Sequence, residues 1–194
     1  MRARPDRAEP DPVDSITFGC VTVTLPSLNE PGSYLSNVTS LDSVEFDTCD
    51  LASARITDSK LSRVVFRNCK ILGASLTGVA LDNVLFENCK LDYTSFEQVR
   101  ATGPVAFSKC VLTEASFTGC ALTGAVLDAC TLRLTEFGRG KYKDLDLRGN
   151  DLTSIQGVAN LDKVIIDRAQ QSELAEALIT ELDVTFGDTL NERR

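Results

Sequence analysis

The side chains that could carry out chemistry are seven cysteines and 28 aspartates and glutamates, and the chain contains no histidine. Without histidine there is no Ser–His or Cys–His pair and no imidazole base, so a nucleophilic enzyme of the usual kind is not expected. Paired carboxylates could still act as acid and base. However, the acids fall on the outward positions of the repeat described below, which indicates a solvated surface. The sequence therefore predicts a protein that is not an enzyme.

Six of the seven cysteines follow a regular spacing. Cys49, Cys69 and Cys89 are twenty residues apart, as are Cys110 and Cys130. Cysteines stacked at that spacing would project in parallel, which suits packing and suits a disulfide poorly. Zinc sites need clustered ligands, and closely spaced cysteine pairs do not occur here. We therefore expect reduced, buried thiols and no metal or other cofactor. Cys20 lies outside the pattern, and its role is left open.

A short glycine-containing stretch, Gly138-Arg139-Gly140-Lys141, partly matches a phosphate-binding loop. Its first glycine is missing, and Tyr142 stands where the loop needs a serine or threonine. We therefore do not expect a nucleotide site there.

The residues above are positioned by a repeat with a period of five. A large apolar residue occupies every fifth position from Leu41 to Phe96, and the pattern resumes from Phe107 to Leu152. Two residues before most of the large residues is a small or β-branched one, such as Val64 before Phe66. A period of five fits neither the helical period of 3.6 nor the strand period of two. It indicates a repeat protein.

This pattern resembles the pentapeptide repeat family, with close matches at 74–78 (ASLTG), 89–93 (CKLDY) and 115–119 (ASFTG). The resemblance covers about residues 36–154. It implies an all-β solenoid, a right-handed quadrilateral β-helix in which each side is one pentapeptide and each coil has four sides. The length allows about six coils. The step from Cys89 to Cys110 is twenty-one residues, which predicts one inserted residue, within 100–104.

The two ends of the chain depart from the repeat. Residues 1–14 are predicted to be a disordered tail, and 15–35 to be a strand or a cap at the N-terminal end. Residues 155–190 are predicted to be a C-terminal cap with a helix at about 168–182. Asp167 and Gln170 form the expected capping box. Short strands are expected at Val164–Ile166 and Val184–Phe186.

The cap helix carries an apolar face that could close the tube or join two molecules. The face comprises Leu174, Leu178, Ile179 and Leu182. The arrangement is similar to the C-terminal cap helix of many bacterial pentapeptide repeat proteins, some of which dimerise end to end through it. A monomer and an end-to-end homodimer both stay open.

Two candidate interaction surfaces emerge when residues are placed on the sides of the coil. The first, which we call the apolar column, consists of Val65, Leu85, Ala106 and Val126, with Glu45 before it and Asp146 after it. A vertical apolar row makes one patch, which either the N-terminal segment or a partner covers. The second, the basic collar, consists of Arg133, Arg139, Lys141, Lys143 and Arg148.

Charge and resemblance together narrow the function. A net charge of −8 and a pI of about 4.6 argue against general binding to nucleic acids or anionic membranes. We find no membrane-spanning stretch or signal-peptide core and expect a cytoplasmic protein. Our first hypothesis is a non-enzymatic protein-binding or scaffold module. The alternative is implied by the resemblance, because family members that mimic duplex DNA protect DNA gyrase and other type II topoisomerases from quinolones.

Overall fold

The structure is a computed structural model that describes residues 21–23 and 40–187. The expected tail at 1–14, Cys20, and most of the expected N-terminal segment lie outside the described residues. Twelve strands are described, which we number in chain order: β1 Val21–Val23, β2 Ser40–Asp47, β3 Arg55–Thr57, β4 Lys60–Arg67, β5 Ser75–Thr77, β6 Ala80–Glu87, β7 Ser95–Glu97, β8 Arg100–Ala101, β9 Val105–Ser108, β10 Ser116–Thr118, β11 Val126–Asp128 and β12 Glu136–Phe137.

From Leu41 to Leu132, the chain turns a corner two residues after each large inward residue. Ser43, Thr48, Ser53 and Asp58 all have left-handed backbones, with φ between 48° and 60°. A single left-handed residue between two extended segments redirects the chain without starting a helix. Four such corners return the backbone to its starting side, which makes the tube four-sided.

All strand pairs are parallel, and most partners are twenty residues apart, as in Leu41 with Leu61. One sheet contains β1, β2, β4, β6, β8, β9 and β11, and a second contains β3, β5, β7, β10 and β12. The third side is held by single-residue bridges from Asp50 to Thr131. The first halves of β2, β4 and β6 form the fourth side. Single-residue bridges from Arg100 to Ala121 and from Ala121 to Lys141 continue this side toward the C-terminal end. The solenoid has about five turns and not the six expected from its length, because strands give way to isolated bridges near the C-terminal end.

The predicted one-residue insertion lies within Thr102–Pro104. Ala101 pairs with Leu81, twenty residues earlier, whereas Val105 pairs with Val84, twenty-one residues earlier. The Thr102 and Gly103 amides both donate to the Leu81 carbonyl, so the extra residue is accommodated in a local bulge.

The core consists of side chains stacked along the axis of the tube. Phe86 is 1% exposed and lies between Phe66 and Phe107, with ring centroids 4.8 and 4.7 Å away. A second stack joins Phe96 and Phe117, whose centroids are 4.6 Å apart. The two stacks meet edge to face, since the Phe96 and Phe107 rings are 6.0 Å apart at 90°. The predicted inward position of the large residues is confirmed.

The cysteine column forms an internal ladder of hydrogen-bond donors. The Cys89 thiol donates to the Phe66 carbonyl at 3.3 Å, and the thiols of Cys69, Cys110 and Cys130 repeat this contact in the neighbouring coils. Asn150 and Gln170 continue the column and donate to Leu127 and Leu147 in the same way. The predicted inward position of the six cysteines is confirmed by their burial. Their role in satisfying buried carbonyls was not predicted.

The C-terminal end is closed by a short helical segment. A 3₁₀ turn at Arg168–Gln170 leads into α1, Gln171–Glu181, and the predicted capping box between Asp167 and Gln170 is present. The carboxylates of Glu173 and Glu181 accept hydrogen bonds from the backbone amides of Leu152 and Val158. In this way the helix satisfies donors of the last coil that have no further coil to pair with.

Two expected strands near the cap are absent from the described residues. Of 164–166, only Ile165 forms a bridge, with Asp146. Residues 184–186 form no strand, and the Val184 amide donates instead to the Ile179 carbonyl of α1. A second 3₁₀ turn occupies Val158–Asn160. Within the described residues, no helix has both the length and the apolar character needed to cross a membrane.

Candidate interaction surfaces

The apolar column is continuous in the structure. Val65 pairs with Leu85, Leu85 with Ala106, and Ala106 with Val126, so their side chains stand in one row on the outer face of the larger sheet. Val126 is 37% exposed, and the other three are half-buried. At about 4.8 Å per strand, the four coils present a strip about 14 Å long.

The structure adds a residue that the sequence reasoning missed. Ile165 pairs with Asp146, the next position of the same column, and is 40% exposed. It follows Asp146 by nineteen residues instead of twenty, so counting along the repeat does not find it. Only the run of apolar residues at 164–166 hinted at it.

Charged groups bound the apolar column at both ends. Arg67 donates to Glu87 at 2.8 Å and also pairs with Glu45, the residue above Val65. At the other end, Arg148 pairs with Asp146 at 2.6 Å. The hydrogen bonds from Arg148 hold the pKa of the Asp146 carboxyl below its usual value. The acids at the two ends of the strip, Glu45 and Asp146, are thus each paired with an arginine of their own chain.

The basic collar is not one surface. Arg139, Lys141 and Lys143 lie together near the C-terminal end of the fourth side, and all three are exposed. Arg133 follows the bridge between Val111 and Thr131 and therefore lies on the opposite side of the tube. Arg148 is held by Asp146 at the edge of the larger sheet. Proximity in sequence suggested a collar, but twenty residues circle the tube and separate these side chains.

A further basic residue joins the fourth side. Arg100 bridges to Ala121, and Ala121 bridges to Lys141, so Arg100 stands two coils above Lys141 with a small residue between them. Within the described residues, neither Arg100 nor Lys141 has a carboxylate within ion-pair distance. The one-residue insertion had obscured this column in the sequence.

The glycine-containing stretch at 138–141 has a packing role. A Cβ on Gly140 would lie 2.5 Å from the Cys120 carbonyl oxygen and 2.8 Å from the Tyr142 ring. Tyr142 is buried, and its hydroxyl lies within hydrogen-bond distance of the Phe117 and Gly138 carbonyls, which can accept its proton. The glycine therefore makes room for an inward tyrosine, which is larger than the leucine at that position in earlier coils.

Burial limits the access of reagents to the described thiols. All six described cysteines are buried, and burial raises the pKa of the Cys120 thiol to about 11. A thiol that stays protonated and inaccessible is a weak nucleophile. No group of three or more cysteine, aspartate or glutamate residues in the described part of the chain could hold a metal ion.

The cap helix presents two apolar surfaces instead of one stripe. Ala177 is buried against the last coil, and Leu174 and Leu178 pack beside it, half-buried. Ile179 is 37% exposed and Leu182 is 61% exposed, on the outer side. The expected face of Leu174, Leu178, Ile179 and Leu182 is therefore divided, because the small Ala177 allows the helix to approach the tube on a different side. Val184 and Phe186 add to the outer surface.

Comparisons with known proteins agree with this architecture. A family model described as a pentapeptide repeat region matches residues 39–103, and a second, of eight pentapeptide repeats, matches residues 105–138. The chain belongs to the pentapeptide repeat protein family. A search of curated proteins finds no match for this pentapeptide repeat protein.

Several solved structures are similar to this pentapeptide repeat protein. Trypsin-treated QnrB1, a plasmid-mediated fluoroquinolone resistance protein, is 16% identical over 72% of this chain and 87% of its own, with a TM-score of 0.37. Rfr23 from the cyanobacterium Cyanothece 51142 is 15% identical over 64% and 88%, with a TM-score of 0.22. HetL from Nostoc sp. strain PCC 7120, involved in heterocyst differentiation regulation, is 17% identical over 78% and 84%, with a TM-score of 0.21. Values this low carry no argument about function.

Proposed function

We propose that this pentapeptide repeat protein is a non-enzymatic binding module that engages a protein partner through the apolar column. The observation that carries the proposal is the register of Val65, Leu85, Ala106 and Val126, which lines up four apolar side chains, half-buried or exposed, in one row on the outer face of the sheet. Surface apolar residues are usually scattered, and a contiguous patch on a rigid sheet is typical of an interaction site.

The position of the strand β1 indicates whether the N-terminal segment covers the apolar column. β1 pairs with β2 at the N-terminal edge of the sheet, with Thr22 opposite Glu45. It thus extends the sheet beyond the apolar column and does not lie across it. This position supports a separate protein, and not residues 21–23, as the occupant.

The neutralised ends of the column indicate the chemistry of the partner. Because Arg67 and Arg148 already pair with the neighbouring acids, the surface offers apolar contact with little net charge. It favours a partner with an apolar ridge about as long as four coils over one with a charged groove.

The proposal is tested by a comparison of three baits in a pull-down from a bacterial lysate, followed by mass spectrometry. The baits are the natural chain, Leu85→Glu in the apolar column, and Ser75→Glu on the opposite sheet, where the natural side chain is also half-buried. We expect a partner that the natural chain and Ser75→Glu capture and Leu85→Glu loses. An identical set of proteins on all three baits would contradict the proposal, provided that circular dichroism shows all three folded.

The alternative of duplex mimicry receives no support from the arrangement of charges. Mimicry needs negative charge at a density similar to that of phosphates along the rod. The position after the large residue in the larger sheet alternates instead, as Asp47, Arg67, Glu87, Ser108, Asp128 and Arg148. Arg67 also pairs with Glu87 of this row, and Arg148 pairs with Asp146 beside it.

A further inference from the structure

The last coil leaves an open strand edge inside a cleft. Between this coil and α1 lies a cavity of about 600 Å³, a volume typical of ligand sites. Its lining includes Ser154, Ile155 and Gly157 from the coil, and Thr180 and Glu181 from the helix.

Backbone groups in this cleft lack the partners that their equivalents have in every earlier coil. The carbonyls of Ala115 and Thr135 each accept from the strand below, from Glu136 and Gln156. Ile155 is the next residue in that column, and none of the described residues donates to its carbonyl.

The backbone amide of Gly157, two residues after Ile155, also lacks the partner of its equivalents in earlier coils, within the described residues. The Phe137 amide donates to the Gln156 carbonyl of the coil below, and Gly157 is the next residue in the Phe137 column. Neither the Gly157 amide nor the Ser154 amide finds an acceptor in the part of the chain that the structure describes. A carbonyl and an amide two residues apart on one edge are the pair that a further parallel strand uses.

The walls of the cleft are acidic. Glu136 and Glu181 line it, and among the described residues no lysine or arginine does. Glu181 also accepts a hydrogen bond from the Val158 amide at 2.6 Å, which fixes its carboxylate at the mouth. An extended segment with a lysine or arginine on either side of its strand-pairing residues would match these charges.

We propose that this cleft binds an extended, basic segment of a partner protein, which adds to the smaller sheet as a further parallel strand. One residue of the segment donates to the Ile155 carbonyl and accepts from the Gly157 amide, so main-chain hydrogen bonds give affinity and the two glutamates select for basic side chains. This site is separate from the apolar column, and its use does not depend on the function proposed above.

The test uses fluorescence anisotropy with the full chain and labelled heptapeptides. The first probe is Lys-Thr-Val-Thr-Val-Thr-Lys, the second has glutamate in place of both lysines, and the third is the lysine peptide with its central amides N-methylated. We expect the second and third to bind about tenfold more weakly than the first, because they lose charge complementarity and strand hydrogen bonds, respectively.

Two exposed acids on the same side of the tube supply matched protein variants. Glu136→Lys, in the cleft, should weaken binding of the lysine peptide about fivefold or more, whereas Glu97→Lys, two coils away, should change it less than about twofold. Equal binding of the N-methylated peptide, or no binding of the lysine peptide up to about 1 mM, would overturn the proposal. Leu85→Glu should leave peptide binding unchanged, so failure of one proposal is distinguishable from failure of the other.

Discussion

At the scale of single residues, the centre of the phenylalanine stack is the position most sensitive to truncation. Phe86 contacts a ring above and a ring below at 4.8 and 4.7 Å. Phe86→Ala should lower the free energy of unfolding by about 3–5 kcal/mol, because it leaves a cavity that the stacked coils cannot close. Denaturant melts measure the loss, with Tyr93→Asn as an exposed control that tolerates the left-handed backbone. A loss below about 1 kcal/mol would contradict the stacking.

The donor ladder makes a second prediction at this scale. Cys89 and Thr94 both donate to a carbonyl twenty-three residues earlier, so threonine is a natural substitute for the thiol. Cys89→Val has nearly the same shape as Cys89→Thr but leaves the Phe66 carbonyl without this donor. The valine variant should be less stable than the threonine variant by about 1–3 kcal/mol, although valine is more apolar. A more stable valine variant would show that the hydrogen bond contributes little.

The sequence predicted which residues point inward, but it did not predict that the inward thiols donate hydrogen bonds to buried carbonyls. A period of five places Cys49 through Cys130 inside whatever their chemistry, because only size and polarity enter the pattern. Which carbonyls remain unpaired at a corner depends on backbone direction, which the pattern does not contain. Likewise, the left-handed corners are occupied by residues as different as Arg63, Asn68 and Tyr93. The residue types at these positions therefore do not predict the left-handed corners.

At the scale of elements, α1 should be needed to close the tube. It buries Ala177 against the last coil, and its glutamates satisfy two backbone amides there. Removing residues 167–194 would expose apolar interior and unpaired edge groups, so we expect aggregation or a lower melting temperature. Size-exclusion chromatography and thermal melts of the truncated chain measure this. An unchanged melting temperature would mean that the last coil is stable without the helix.

The outer surface of the cap bears on whether the protein is a monomer or an end-to-end dimer. Ile179, Leu182, Val184 and Phe186 are each more than a third exposed, and such a cluster at the end of a solenoid favours the dimer. Light scattering should give about twice the 21.0 kDa chain mass at micromolar concentrations, and Leu182→Glu should restore the monomer. Ser172→Glu, at an exposed polar position of α1, is the control. A monomeric natural chain would contradict this prediction.

The elements that keep strict spacing were predictable, and the others were not. The insertion within 102–104 was found because every later residue shifts by one. β1 was only partly anticipated, since Val21 pairs with Val44 across twenty-three residues and so breaks the count of twenty. The collar was misjudged for a related reason: Arg133 and Arg139 are six residues apart, which on this tube is more than one side.

At the scale of the whole molecule, the distribution of charge argues against strong gyrase inhibition. The chain carries a net charge of −8, yet its arginines interrupt the acids on the larger sheet and Arg100, Lys141 and Lys143 occupy another side. A DNA-binding groove would therefore meet no continuous negative stripe. We expect at most weak inhibition of gyrase supercoiling and no protection from a quinolone at comparable protein concentrations. Strong inhibition at sub-micromolar protein that weakens with salt would favour the duplex-mimic alternative.

The parallel coils also give the rod a mechanical character. Pulled from its two ends, the molecule carries load along the stacking axis, so coils peel away from a terminus one after another. Each detached coil frees about twenty residues of contour, roughly 65–70 Å, against the 4.8 Å of axial length that it gives up. The extra residue within 102–104 would make one of these steps longer than the steps of the coils next to it. The rod should therefore resist small extensions, and its length should increase greatly once coils begin to detach.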